Sequence, residues 1–225
     1  MKAETPAHLR TYADLRERIL FGQLLPGQPV TIQGLSADLN AGMTPVREAI
    51  RRLAAEGALA VQDNRRVRVP RPDARQIADL ALARSRLEPE LASRAASCLS
   101  PETLTEIEAA NAEARDALDR GDFGTFLRAN HRFHFLIYNA TGSRILTELV
   151  EGLWLRLGPA LRAMTEFCRA EAGGIGGDPL AMVAHHPEAI AALRMADPTQ
   201  AARAIRRAIS RDMTLVAEAA KRGVF

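Results

Sequence analysis

The chain has 225 residues, of which 47% are hydrophobic, and a net charge of only +3. That length leaves room for two domains with real cores. No apolar run approaches the roughly 18 residues of a membrane helix, and the N-terminus lacks the basic start and apolar run of a secretory signal. We therefore expect a cytoplasmic protein without a membrane partner. Cys98 and Cys168 lie far apart without metal-ligand spacing, and we expect two reduced structural thiols.

The charge is unevenly distributed along the chain. Residues 1–72 contain 11 Lys and Arg against seven Asp and Glu, whereas the remainder contains 19 against 20. A basic excess at one end is typical of a surface that binds a polyanion, and a nearly neutral second part indicates a different task. We therefore expect two parts with separate functions.

Two helices are predicted near the N-terminus. A turn at residues 25–28 separates an amphipathic helix over residues 7–21 from a short helix over residues 32–39. Residues 40–42 end the second helix, because Asn and Gly tolerate left-handed conformations. The first helix is indicated by apolar side chains at three- and four-residue steps, namely Leu9, Tyr12, Leu15 and Ile19.

A third helix follows this break. Thr44 followed by Pro45 predicts an N-cap with proline at the first helical position, and Gly57 predicts the end of the helix. One face of this helix is apolar and is predicted to pack inward, through Val46, Ile50 and Leu53.

The residues after this helix predict a small β-hairpin. Apolar and polar residues alternate at 59–61 and again at 67–69, and residues 63–66 form the turn between them. The order helix, helix, tight turn, helix, hairpin is that of a winged helix-turn-helix, in which the helix after the turn enters a major groove. Residues 70–72 are the predicted linker.

The rest of the chain predicts only helices. Pro89 falls inside the first of them and is predicted to kink it, because the apolar pattern continues on both sides. The glycine-rich stretch 173–177 predicts a loop, since no Lys-Ser or Lys-Thr follows it. Turn and loop signals separate six helical segments, at residues 100–101, 121–122, 141–143, 173–179 and 197–198. The predicted fold is mainly α, with a winged helix-turn-helix at 1–72 and an all-α bundle of about six helices at 73–225.

Basic side chains recur on the third helix and on the hairpin. Arg47 and Arg51 are four residues apart and share the face opposite the packing residues. The hairpin adds Arg65, Arg66 and Arg68 where a wing meets the adjacent groove. A solvated charged surface is the alternative interpretation for any one arginine, but their repetition on helix and wing favours contact with DNA.

Several stretches resemble known regulators. Residues 19–27, the pair Leu35 and Leu39, and residues 43–57 with their Thr-Pro-Val-Arg run are similar to the DNA-binding domain of GntR-family regulators. The C-terminal part is similar to the FCD-type ligand-binding domain of the FadR subfamily, in its shorter VanR-like form. That similarity is carried by Arg84, Leu87 and Glu88, by Asn130, Phe133 and His134, and by residues 186–192 followed by Asp197.

The resemblance implies a transcription regulator. It implies a homodimer that binds a palindromic double-stranded DNA operator and whose helical domain senses a small molecule, such as a carboxylate metabolite. An effector that binds one arrangement of the dimer more tightly changes DNA affinity by the same coupling energy.

The chain departs from the family pattern at positions that contact DNA. Gly42 and Met43 stand where the family usually has Ser-Arg, Gln33 replaces another arginine, and Arg66 replaces a glycine of the wing. Phosphate contacts survive these changes, whereas base preferences do not carry over, since Met43 offers a base edge only apolar contact. The predicted DNA-binding residues are Gln33, Met43, Thr44, Arg47, Arg51, Arg65, Arg66 and Arg68.

A candidate metal site lies in the helical part. Asn130 and His134 project from one helix face, and His186 can converge on them. The family pattern adds a histidine where Ala208 stands and often has aspartate at position 130. Two histidines and an amide are too few strong ligands for tight zinc binding. Two interpretations stay open, a loosely held zinc or nickel ion at these three residues, or histidines that hydrogen-bond an effector or the core.

A candidate effector site overlaps this cluster. Arg84 is the residue expected to pair with an anionic ligand, although a surface salt bridge with Glu88, four residues on, is the alternative. His131 and His185 are predicted to be surface neighbours. The predicted effector-binding residues are Arg84, Asn130, His134 and His186.

Two functions other than a sensing regulator are to be compared with the sequence, an enzyme and a regulator that does not sense a ligand. An enzyme is excluded because the chain lacks a His-Glu-x-x-His motif, a nucleophile elbow and a phosphate-binding glycine loop, so no catalytic residue is predicted. A DNA-binding regulator whose C-terminal domain only dimerises stays open, because the sensory pattern is incomplete.

Overall fold

A computed structural model describes residues 6–62, 66–170 and 182–225. This part of the chain contains nine helices and three short strands. They form two compact units, one made of Met1–Pro72, Trp154–Ala163 and Phe225, and the other of Asp73–Leu153 and Met164–Val224. The mainly α fold class, with a winged helix-turn-helix and a bundle of six helices, is confirmed.

Three helices build the N-terminal part of the first unit. They are α1 (Ala7–Leu20), α2 (Ile32–Asp38) and α3 (Met43–Ala55). Thr31 begins α2 because its hydroxyl accepts a hydrogen bond from the Gly34 amide at 3.0 Å. Apolar side chains from all three helices form the core, as their spacing predicted, and include Leu15, Ile19, Leu35, Val46, Ile50 and Leu53.

The start of α3 differs from the sequence prediction. The N-cap is Gly42, whose backbone is extended, so Thr44 and Pro45 are the second and third residues of the helix rather than its cap and first residue. Proline fits there because the amides of the first turn have no partner within the helix. Because the N-cap is a glycine, no side chain accepts a hydrogen bond from the amides of the first turn of α3.

The wing is a three-stranded antiparallel sheet. The predicted hairpin is present as β2 (Ala60–Val61) and β3 (Val67–Arg68), and residues 63–65 lie outside the described part. A further strand, β1 (Pro29–Val30), was not predicted and pairs with the other side of β3, with Val30 opposite Val67. This pairing holds the wing against the chain between α1 and α2.

Six helices form the second part of the chain, as predicted. Asp73 opens the first of them with a capping box to Gln76, and Asp197 caps the last through the Gln200 amide. The helix that contains Pro89 continues past it. The predicted loop at 173–177 lies outside the described residues. The helices are α4 (Ala74–Ala96), α5 (Pro101–Arg120), α6 (Phe123–Asn139), α7 (Arg144–Ala170), α8 (His186–Arg194) and α9 (Pro198–Lys221).

Neighbouring helices pack in pairs in the second unit. Helix α4 lies along α9, α5 lies along α6, and α8 packs on α9. Their facing sides carry apolar residues such as Leu91, Ile107 and Ile205, which are fully buried. None of the described helices is long and apolar enough to cross a membrane.

The middle of α7 belongs to the first unit and approaches α1 closely at Gly158. A methyl group at this position would lie 2.2 Å from the carbonyl oxygen of Leu20 and 2.9 Å from that of Ile19. Both obstacles are backbone atoms, so a larger residue would require the chain itself to move.

We predict that Gly158→Ala lowers the free energy of unfolding by about 1–3 kcal/mol, the usual cost of overpacking. Gly152→Ala is the matched control on the same helix, because a methyl group there meets nothing within 4 Å, and alanine is the better helix former. Thermal denaturation at one protein concentration compares the variants. Equal melting temperatures for both would contradict the close approach.

Candidate nucleic-acid interface and buried polar cluster

The outer face of α3 carries the side chains predicted to meet DNA. Met43, Thr44, Arg47 and Arg51 are all exposed, and the opposite face of the helix is buried. Arg51 forms an exposed ion pair with Glu48 at 2.7 Å, which contributes little to stability. Its guanidinium can therefore exchange this partner for a phosphate at small cost.

Arg52, next to these residues, is held against the protein. Its guanidinium lies 3.7 Å from the centre of the Tyr12 ring and 3.1 Å from the Glu56 carboxylate. Tyr12 donates to the same carboxylate at 2.8 Å. Burial, together with the hydrogen bond to Glu56, raises the pKa of Tyr12. Arg52 therefore ties α3 to α1.

Two predicted contacts lie together beside the start of α3. Gln33 on α2 and Met43 both line a surface depression of about 510 Å³. Met43 exposes 54% of its surface there. On the wing, Arg66 and Arg68 are exposed, whereas Arg65 lies outside the described residues. The described DNA-binding candidates thus all face solvent, on α2, on α3 and on the wing.

The helical unit contains a cluster of buried polar side chains. We call it the buried polar cluster, and it joins α4 and α6 with the start of α8. Burying such groups is costly unless each finds a partner. Among the described residues, no buried side-chain nitrogen or oxygen lacks one. The members are Arg84, Glu88, Asn130, His134, His185 and His186.

An ion pair between Arg84 and Glu88 lies at one end of this cluster. The guanidinium Nε donates to Glu88 Oε1 at 2.5 Å, and the two side chains are 1% and 0% exposed. Tyr138 on α6 donates to Glu88 Oε2 at 2.8 Å. Burial, reinforced by this carboxylate, raises the pKa of Tyr138 well above 10. Burial also raises the pKa of Asp212 on α9 to about 7, with Arg84 opposing the shift.

Three histidines lie at the other end. His134 Nδ1 is 3.1 Å from the Tyr138 hydroxyl, and its Nε2 is 3.4 Å from Nε2 of His185. His186 stacks on Phe133 at 3.7 Å between ring centres. Burial lowers the pKa of His185 to about 3, and it lowers the pKa values of His134 and His186 well below 6.5. All three rings are therefore neutral at physiological pH.

The prediction that His185 lies on the surface is wrong. His185 is 7% exposed, because it stands one residue before α8 and turns inward beside His186, with 4.4 Å between the ring centres. Neighbours on a helix diverge by about 100°, but this pair straddles the helix start. His131 is half-buried and stacks on Phe135.

The structure also decides the form of the Arg84 ion pair. The pair with Glu88 is present, but it is buried rather than on the helix surface, because α9 covers it through Met213, whose sulfur lies 3.7 Å from Arg84 Nη1. Contact between Arg84 and an anionic ligand stays a prediction.

The residues predicted to bind metal or effector come together in the fold. His186 Nε2 lies 3.1 Å from Asn130 Oδ1, and its Nδ1 lies 3.0 Å from Oδ1 of Asn111, which sequence reasoning missed. Imidazole nitrogens of His134, His185 and His186 lie within 4.8 Å of one another. Three imidazoles are a donor set that suits zinc or nickel.

An exposed basic helix beside a wing, and a buried polar cluster in a separate helical unit, are the arrangement expected of a DNA-binding transcription regulator. Residues 7–69 match the family described as bacterial regulatory proteins, gntR family, and residues 79–211 match the FCD domain. The chain belongs to the gntR family and carries an FCD domain in its C-terminal part. The resemblance seen in the sequence is thereby confirmed.

Relatives in this family are named as transcription regulators. The chain is 32% identical over 158 residues to the HTH-type transcriptional regulator McbR of Escherichia coli K12. The matched region covers 70% of this chain and 72% of McbR. It is 26% identical over 148 residues to the HTH-type transcriptional repressor RspR of the same organism, and that match covers 66% of this chain and 65% of RspR.

Solved structures show the same architecture. E. coli McbR/YncC superposes with a TM-score of 0.84 at 26% identity, covering 96% of this chain and 99% of that chain. A transcriptional regulator GntR from Rhodococcus sp. RHA1 has a TM-score of 0.73 at 22% identity, covering 94% and 98%. The second likeness concerns the fold alone.

We predict that Arg84→Met lowers the free energy of unfolding by about 3–5 kcal/mol, because it leaves the Glu88 carboxylate buried without its guanidinium. The double variant Arg84→Met/Glu88→Gln should regain most of this loss, since glutamine is neutral and still accepts from Tyr138. Urea denaturation at fixed protein concentration measures all variants.

The matched control is Arg94→Met. Arg94 pairs with Glu90 at the same spacing on the same helix and at 2.8 Å, but both side chains are half-exposed, so little loss is expected. If Arg84→Met lowers the free energy of unfolding no more than Arg94→Met does, the buried ion pair does not stabilise the fold as predicted.

Proposed function

We propose that the chain is a sequence-specific DNA-binding regulator whose operator affinity is modulated by a small metabolite, a carboxylate, bound in its helical C-terminal domain. The exposed face of α3 carries this proposal. Arg47 and Arg51 are exposed there, and the amides of the first turn lie at the start of the same helix; basic side chains and helix N-termini both attract phosphates. Membership of the gntR family supports it. No catalytic role is proposed for any residue.

The chemistry of each side chain at the proposed interface determines whether it contacts phosphates or bases. Arginines on α3 and on the wing contact phosphates and position the domain. Gln33 on α2 and Met43 at the start of α3 reach base edges. Glutamine can pair with adenine, and methionine offers apolar contact to a thymine methyl. The base preference of this chain is therefore expected to differ from that of relatives with arginine at these positions.

The regulator is proposed to act in the cytoplasm as a homodimer. A single winged helix reads one half-site, so a two-fold dimer matches a palindromic operator. The helical domain supplies the dimer contact in this proposal. An effector then acts by changing the arrangement of the two recognition helices, and DNA and effector affinities change by one coupling energy.

The buried polar cluster supports the sensing role. A helical bundle needs no buried polar groups for stability, and apolar replacements are often as stable. Three neutral histidines and two amides in one core are the feature expected of a binding site. Since the Glu88 carboxylate already neutralises Arg84, an anionic effector is expected to meet the histidine end of the cluster first.

We predict that Arg47→Ala weakens binding to a random-sequence duplex and lowers the slope of log affinity against log salt by about 0.9 for each phosphate contact removed. Fluorescence anisotropy between low and moderate salt measures the slope. Arg120→Ala is the control, because Arg120 is exposed on α5 and forms an ion pair with Asp116. An unchanged slope for Arg47→Ala would remove this side chain from the interface.

The sensing step is tested with small organic acids. We expect light scattering to show a dimer at micromolar concentration. We also expect at least one small organic acid to raise the melting temperature of the protein. The same acid should change affinity for an operator selected from random duplexes by roughly 5- to 150-fold. His134→Ala should abolish both effects. A dimer that binds its operator but responds to no acid would favour the alternative, a C-terminal domain that only dimerises.

A further inference from the structure

We propose that a second copy of this chain docks on the exposed face of α4, so that the two α4 helices pack antiparallel about a two-fold axis near Leu82. This interface rests on the homodimer of the proposed function and names the surface that forms it. Two copies related by a two-fold axis meet through the same patch, so the patch must complement itself. The exposed face of α4 meets that condition.

The charged side chains of this face are arranged so that they complement one another in an antiparallel pair. Arg75, Asp79, Arg86 and Glu90 are exposed, and their charges alternate in sign along the helix. Arg75 and Glu90 lie equally far from a midpoint just after Leu82, and so do Asp79 and Arg86. An antiparallel copy centred there places the partner's Glu90 opposite Arg75 and the partner's Arg86 opposite Asp79. The axis repeats both contacts, and such complementarity fixes the register of two surfaces.

The same charges are largely unused within the chain. Arg75 and Asp79 are four residues apart on one helix, as are Arg86 and Glu90, and this spacing allows pairing within the helix. In the part of the chain that the structure describes, Arg75, Asp79 and Arg86 nevertheless form no ion pair. Glu90 pairs with Arg94 at 2.8 Å, and both side chains are half-exposed, so this contact can be exchanged at small cost.

An exposed leucine lies at the centre of the face, between the charged residues and a row of small ones. Leu82 is 57% exposed. Side chains advance by about 100° per residue around a helix, so the charged residues lie on one side of Leu82 and Ala74, Ala78 and Ser85 lie on the other. These three side chains are small and at least partly exposed, which lets a second helix approach closely. Leu82 then packs beside the partner's Leu82 and is removed from water.

Helix α9 widens the small-residue side of the face. Ala78 and Ser85 on α4, together with Ser210, Thr214 and Ala217 on α9, line a surface depression of about 590 Å³. The axis runs perpendicular to both α4 helices, so the depressions of the two copies adjoin on the same side of the helix pair. One helix face of this length is smaller than the roughly 800 Å² that each partner contributes to a standard interface, and the adjoining depressions enlarge it.

The test reverses the charges of one proposed ion pair in the full chain. Asp79→Arg places like charges opposite each other at both symmetry-related contacts, and so does Arg86→Glu. Each variant alone should raise the dimer dissociation constant at least about 10-fold, because like charges that face each other across an interface are costly. Light scattering over a dilution series measures this constant. The double variant Asp79→Arg/Arg86→Glu restores opposite charges and should dimerise like the wild type.

Mixing the two single variants gives the sharpest readout. Asp79→Arg leaves two positive charges at these positions and Arg86→Glu leaves two negative ones, so each chain offers the charges that the other lacks. An equimolar mixture should therefore form a heterodimer, which native mass spectrometry distinguishes from either homodimer by mass. General loss of stability would weaken the single variants but would not make them pair with each other.

Leu149→Glu is the matched control for Leu82→Glu. Leu149 on α7 is 54% exposed, close to the value for Leu82, but it lies outside the proposed interface. Leu82→Glu should weaken the dimer and Leu149→Glu should not, and circular dichroism checks that both fold.

Two different results would overturn this interface. A wild-type dimer that keeps its affinity in both charge-reversal variants, or that is lost in Leu149→Glu alone, contradicts the α4 interface and leaves the proposed function in place. A wild-type chain that stays monomeric contradicts the homodimer of the proposed function, and the α4 interface with it.

Discussion

The carboxylate of Glu88 is the group on which the helical unit depends. It lies in the core with no exposed surface, and a charge in that position is tolerated only with strong partners. Arg84 on the same helix and Tyr138 on α6 supply them. Because Tyr138 lies on a different helix, its hydrogen bond to the Glu88 carboxylate joins α6 to α4, and α9 covers the ion pair through Met213.

The same carboxylate determines the state of the histidines. Glu88 neutralises the charge of Arg84, so the guanidinium and the histidine rings can share one core. Because Tyr138 donates its one hydrogen to Glu88, its oxygen is available to accept from His134 Nδ1 at 3.1 Å. Two hydrogen bonds therefore connect the Glu88 carboxylate to His134, through the Tyr138 hydroxyl.

The sequence predicted local features well and long-range ones poorly. Helix spacing and the break before α3 act within a few residues, so they could be recognised without a structure. Strand β1 is only two residues long, and it is a strand only because it pairs with β3. The burial of Arg84 depends on α9, more than a hundred residues away, and no local pattern contains that information. His185 was misplaced for a related reason, since helical periodicity does not apply across the residue where a helix begins.

The exposed face of α3 and the buried polar cluster follow opposite physical rules, and this explains why the surroundings of the first were easier to predict than those of the second. Groups that meet DNA must be exposed and need only the right element and face, which periodicity supplies for Arg47 and Arg51. Contacts to phosphate carry no sequence information, whereas contacts to base edges do, so the proposed roles of Gln33 and Met43 concern base preference rather than the ability to bind DNA. In the buried polar cluster each donor must meet an acceptor, and these partners come from α4, α6 and the start of α8. The geometry of the cluster therefore depends on contacts between distant parts of the chain, which no local pattern contains.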